Sequence, residues 1–132
     1  MTNRFVLDAS ALLALIFGEP GASLVSAKLQ NSIISAVNYS EVVIRLIEKA
    51  GTLQTALERT LPAKLPVIPF DESQSIRAAD LRATTAQYGL SFADRACLAL
   101  AMQENAIVLT ADQDWANVSL PITIKLIRSR KP

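Results

Sequence analysis

The chain has 132 residues, 51% hydrophobic and 19% charged, which is enough apolar matter for one core and too little length for two. A net charge of +1 rules out a strongly basic nucleic-acid binder, so any affinity for nucleic acid must come from local patches. Histidine is absent and Cys97 is the single cysteine, which excludes imidazole bases, histidine metal sites, disulfide frameworks and cysteine zinc clusters within one chain. No apolar run approaches the roughly 20 residues needed to cross a bilayer. The apolar run Ala11–Phe17 is approached through Asp8 and lacks a small-residue cleavage site after it, which argues against a signal peptide. The expectation is one soluble, cytoplasmic domain over residues 1–132, with no membrane partner.

Short apolar runs alternate with longer helical patterns. Arg4–Leu7 reads as a buried first strand ending at Asp8. Ser10–Phe17 reads as a helix stopped by Gly18, Pro20 and Gly21, and a second helix is expected over about Ala22–Leu29. Ser32–Ser35 is a short strand, and Ala36–Ala50 a helix closed by Gly51. Thr52–Thr60 is a further helix before Pro62 and Pro66. Leu65–Pro69 is a strand weakened by its prolines, hence short or near an edge. Asp71 occupies a helix N-cap position, and Glu72–Tyr88 continues from it with helical periodicity up to Gly89. Phe92–Glu104 is apolar on nearly every side, as a buried helix is. Ile107–Leu109 is a fourth strand and Ile122–Ile127 a possible fifth. Strands separated by helices predict a three-layer α/β fold: a mainly parallel sheet of four to five strands with helices on both faces. In such folds the functional crevice lies outside the carboxyl ends of the strands.

Four acids fall at that edge. Asp8 comes directly after the first strand, and Glu41 lies early in the helix after the second. Asp94 lies in the first turn of the buried helix, and Asp112 comes after the fourth strand, with Asp114 two residues later. Each also has a purely structural reading. Asp8 and Asp112 can N-cap the helical turns that begin beside them. Ser91-Phe-Ala-Asp94 and Asn38-Tyr-Ser-Glu41 both have the form of a capping box. As a group the acids are harder to dismiss, because buried carboxylates need a partner and Arg95 is the only basic neighbour near Asp94. A hard divalent cation, Mg²⁺ or Mn²⁺, suits an all-oxygen ligand set.

The segments Phe5-Val-Leu-Asp8-Ala-Ser10, Ser35-Ala-Val-Asn38-Tyr-Ser-Glu41-Val, Gly89-Leu-Ser91-Phe-Ala-Asp94-Arg-Ala-Cys-Leu-Ala and Val108-Leu-Thr110-Ala-Asp112-Gln-Asp-Trp115 resemble the four motifs of PIN-domain ribonucleases. VapC-type toxins of bacterial toxin–antitoxin pairs are the nearest match, from about Arg4 to Ile127. The resemblance implies a PIN-like fold and a metal-dependent endoribonuclease, usually a homodimer, held inactive by a small cognate antitoxin. It aligns Asp8, Glu41, Asp94 and Asp112 with the family's acidic positions, and Ser10 and Thr110 with its polar helpers. Trp115 stands where phenylalanine is more common in the family. Asp114 matches less consistently, as a supporting acid.

On this reading Asp8 and Asp94 contact the metal, and Glu41 and Asp112 complete the cage directly or through water. The metal activates water, so the missing histidine is no obstacle. Arg45, Lys49, Arg95 and the basic tail Lys125–Lys131 are candidates to receive RNA. With few aromatics, recognition by stacking is not expected. The surplus of apolar residues in Ser10–Leu29 and in Thr52–Leu61 belongs either to the core or to a partner surface. The alternatives are a housekeeping RNA-processing nuclease, a non-catalytic PIN interaction module, and a receiver-like phosphoacceptor domain. For the last, Asp8 is unpaired and Lys125 falls inside a strand rather than after it.

Overall fold

In the computed structural model, which describes residues 4–129, the chain folds around a five-stranded sheet. The strands are β1 (Phe5–Leu7), β2 (Ser32–Ser35), β3 (Val67–Ile68), β4 (Ile107–Thr110) and β5 (Ile124–Leu126). Their order across the sheet is β3-β2-β1-β4-β5, and every pairing is parallel. The helices are α1 (Ala9–Phe17), α2 (Ala22–Lys28), α3 (Ala36–Ala50), α4 (Leu53–Thr60), α5 (Glu72–Asp80), α6 (Arg82–Thr85) and α7 (Phe92–Glu104). No single described helix is long and apolar enough to cross a membrane.

Alternation along the central strands builds two cores. Phe5, Leu7, Ile34 and Leu109 face one side, where they pack with Leu12, Val25, Val42, Leu46 and Ala56 of α1 to α4. Val6, Ile33 and Val108 face the other side, against Ala78 and the Cys97–Ala101 run of α7. Phe5, Val6 and Leu7 are all buried, as expected of a parallel strand covered on both faces. The surplus apolar residues of α1 are shared between core and surface: Leu13, Leu15, Ile16 and Phe17 are partly buried against the first core and partly exposed. Leu53 of α4 remains exposed.

β2, α3 and α7 have the bounds the sequence predicts, and β3 is a two-residue edge strand. One expectation is corrected: Glu72–Tyr88 is not one helix. It breaks at Leu81 into α5, α6 and a 3-10 turn at Ala86–Tyr88. The Leu81 carbonyl accepts hydrogen bonds from both the Thr84 and Thr85 hydroxyls, as well as from the Thr85 N–H. Such side-chain bonds to a helix carbonyl compete with regular helix geometry and bend it.

The order of strands reverses direction at β1, with β2 on one side and β4 on the other. In parallel sheets the functional crevice lies outside such a switch point, here at the carboxyl ends of β1 and β4. The first turns of α3 and α7 come together near the same edge, where the Asn38 side chain bonds the Ala93 carbonyl.

Candidate active site

Asp8 leaves the end of β1 and is buried. It occupies the N-cap position of α1, yet its carboxylate caps nothing. Its Oδ2 instead accepts the Ser10 hydroxyl at 2.7 Å and the Thr110 hydroxyl at 2.9 Å. Each hydroxyl oxygen is in turn held by a backbone donor: Ala111 N–H reaches Ser10 Oγ at 2.9 Å, and Asp112 N–H reaches Thr110 Oγ1 at 3.0 Å. Accepting from the backbone leaves each hydroxyl proton free to point at Asp8. The β4 end thus acts as a two-armed cradle, running from backbone through hydroxyl to carboxylate.

Glu41 projects from α3. The N-cap of that helix is Ser35, whose Oγ accepts the Val37 N–H, so the capping box expected at Asn38–Glu41 does not form. Asn38 and Glu41 are separated by three residues, which places them on one helix face. Asn38 Nδ2 donates to Glu41 Oε1 at 3.1 Å and to the Ala93 carbonyl at 3.0 Å. The capping box expected at Ser91–Asp94 is present: Asp94 Oδ2 accepts the Ser91 N–H at 2.8 Å, and Ser91 Oγ accepts the Asp94 N–H. Asp112 caps the 3-10 turn Gln113–Asn117 by accepting the Asp114 N–H at 2.9 Å. Trp115 of that turn is fully buried and pins it to the second core.

The acids sense one another. Burial raises the Asp8 carboxyl above its ordinary value; the Ser10 and Thr110 hydroxyls oppose this, and the charge of Asp94 adds to it. Glu41 is raised by burial and by the charges of Asp8 and Asp94, against the hydrogen bond from Asn38. Asp94 is raised by burial and by Asp112, against the Ser91 donors and the charge of Arg95. The two ion pairs among the described residues, Arg4–Glu104 and Arg128–Glu19, involve none of these acids. Arg95 instead gives Nη1 to the Leu90 carbonyl. Cys97 lies beneath the acids, fully buried, and both burial and their charges push its thiol well up. It is therefore neutral, and the donor set is all oxygen. With the side chains as they stand, no three His, Cys, Asp or Glu residues among those described converge into a metal-holding group.

The basic residues are more dispersed than expected. Arg45 is exposed on α3. Lys49 lies over the Phe17 ring at 5.9 Å. Arg128 is tied down by Glu19 and the Pro20 carbonyl, and Lys125 is an exposed position within β5. Arg130 and Lys131 lie outside the described residues.

The sequence reads Asn38 only as the first residue of a capping box, not as the link from Glu41 to α7 that the fold makes of it. The readable signal was its place in the buried stripe Asn38, Val42, Leu46 of α3, where an amide interrupts an otherwise apolar face.

The sequence matches the PIN domain family over residues 5–120, and the chain belongs to that family. PIN domains are generally nucleases. No curated protein matches the chain significantly. Among solved structures, the fold is similar to the DNA-bound VapBC of Salmonella typhimurium, with a TM-score of 0.74 and 16% identity over 96% of this chain and 100% of that one. VapBC2 from Rickettsia felis, bound to a promoter DNA fragment, gives 0.70 at 20% identity, covering 92% and 97%. FitAcB from Neisseria gonorrhoeae gives 0.66 at 23% identity, covering 91% and 95%.

Proposed function

We propose that this PIN domain is a Mg²⁺- or Mn²⁺-dependent endoribonuclease, acting as the toxin of a toxin–antitoxin pair. The observation that carries the reading is the acidic crevice itself. Asp8, Glu41 and Asp94 each have a raised carboxyl pKa, and neighbouring acids contribute to every shift. Partly desolvated acids in mutual repulsion, without an ion-pair partner, call for a cation.

The donor chemistry fits a hard divalent ion: four carboxylates, no imidazole and a neutral thiol. Asp8 and Asp94 are assigned the direct contacts, with Glu41 and Asp112 completing the set directly or through water. Side-chain rotation is needed to bring these oxygens together. A bound ion would lower the pKa of the attacking water and offset charge on the phosphate oxygens. Ser10 and Thr110 are positioners. Their protons are committed to Asp8, so neither hydroxyl is an activated nucleophile. The Asp8 cradle holds one carboxylate oxygen in place and favours the ionised form against burial.

The VapBC neighbours, of a family described as toxin–antitoxin systems, motivate a small cognate antitoxin as partner; the homodimer rests on the resemblance to VapC-type toxins alone. The receiver-like alternative needs an acceptor aspartate after the third strand, and the one there, Asp71, caps α5 by accepting the Gln74 N–H.

The test is cleavage of single-stranded RNA by the purified chain, which should require Mg²⁺ or Mn²⁺ and stop in EDTA. Cleavage that persists in EDTA overturns the metal-dependent reading. For the toxin role, expression alone should arrest growth, and Asp8→Asn should relieve the arrest at equal abundance. Unimpaired growth with the active enzyme would favour a housekeeping nuclease. Light scattering should return twice 14.3 kDa for the homodimer.

A further inference from the structure

We propose that Asn38 is a positioning residue that holds Glu41 against the first turn of α7, and so sets where Glu41 stands relative to Asp94. The inference rests on the proposed metal site. Asn38 has no exposed surface. One nitrogen, Nδ2, serves two acceptors on different elements: Glu41 Oε1 on its own helix and the Ala93 carbonyl on α7. Ala93 immediately precedes Asp94, and the capping box fixes that turn. A single amide therefore links the two helix-borne acids of the crevice.

The other end of the same amide is left without a partner. Asn38 Oδ1 is buried and has no hydrogen-bond partner. An orphaned buried acceptor destabilises the fold. Flipping the amide gives no relief, because Oδ1 would then face the Glu41 carboxylate and the Ala93 carbonyl, both acceptors. The side chain keeps its unfavourable end in order to aim both protons at these partners. A local violation of polar satisfaction at a candidate active site is where function takes precedence over stability. Groups that orient metal ligands without touching the metal typically change its affinity by about 10–100-fold when removed.

The test measures Mn²⁺ binding without RNA, by the loss of the free aqua-Mn²⁺ electron paramagnetic resonance signal. Wild type, Asn38→Ala, Asn38→Ser, Glu41→Gln and the Asn38→Ala/Glu41→Gln double variant are compared, each shown folded by circular dichroism. Asn38→Ala should weaken binding about 10–100-fold. Asn38→Ser is the milder variant should alanine not fold. Its single hydroxyl proton cannot serve both acceptors, so it too should bind more weakly than wild type. The double variant should bind within about twofold of Glu41→Gln alone, because a residue that acts through Glu41 has nothing left to position. Full additivity of the two losses, or wild-type affinity in both Asn38 variants, overturns the inference while leaving the metal site intact. A wild-type chain that binds no Mn²⁺ overturns the metal site, and the role of Asn38 with it.

Discussion

Asp8 and Asp94 look alike in the sequence: each is an acid beside the start of a helix. In the fold they differ. Asp94 caps α7 through a reciprocal pair of bonds with Ser91, all within four residues of chain. Asp8 makes no cap, and its carboxylate is held by hydroxyls of which one, Thr110, lies a hundred and two residues away. The strand-end acid is thus committed to the crevice, whereas the helix-end acid divides itself between the helix and the crevice. A local signature identifies a cap; only the sheet topology identifies a cradle.

The largest expected effect lies on the committed acid. Asp8→Asn keeps an acceptor for Ser10 and Thr110 while removing the charge. It should lower metal-dependent RNA cleavage by about 1000-fold, since metal-based stabilisation is worth several kcal/mol and each 1.36 kcal/mol is a factor of ten. Without metal it should melt no lower than wild type. Near-normal cleavage rates in a quench assay would remove Asp8 from the site.

The cradle itself comes next. Ser10→Ala deletes a donor to Asp8 and leaves the Ala111 N–H without its acceptor. A loss of about 1–3 kcal/mol in denaturant unfolding is expected, together with a smaller Mg²⁺-induced rise in Tm. An unchanged midpoint would mean that the hydroxyl chain holds nothing.

Asp94 can be split into its two tasks. Asp94→Asn retains an oxygen for the Ser91 N–H, and Asp94→Ala does not. Both should lose most of the Mg²⁺ stabilisation seen in thermal melts. Only the alanine variant should also lose the capping bond, worth about 1 kcal/mol. An asparagine variant with the full Mg²⁺ shift would make Asp94 a cap and nothing more.

The mildest probe is pH. Asp8, Glu41 and Asp94 have raised pKa values in the fold, so the folded state binds protons more tightly than the unfolded chain. Their contribution to stability is therefore favourable at low pH. It declines as pH rises from the unfolded values through the raised folded ones. In EDTA, the part of the Tm profile due to these groups should fall over that interval, and Asp8→Asn should flatten it. An identical profile in the variant would show that Asp8 is not perturbed.

The sequence was most readable where a feature is local or strongly periodic. The bounds of α3 are set by Ser35 and Gly51, and those of α7 by Ser91 and an apolar run. β3 is short for the reason its prolines announce. The break at Leu81 was hidden because it depends on where two threonine hydroxyls turn, and periodicity continues through it. The four acids were identifiable as candidates, but their roles were not. Asp8 and Glu41 carried capping readings that the fold denies, while Asp94 and Asp112 carried ones it supports. Asn38 reads from the sequence only as a capping residue, because its partner Ala93 is brought close only when α3 and α7 meet.

Cys97, the only thiol, sits sealed below the acids on the helix that carries Asp94. A thiol reagent cannot reach it while α7 rests on the sheet. The pace of Cys97 labelling is therefore a built-in clock for the opening of this core. Any ion that fastens Asp94 to its neighbours should make that clock run slow.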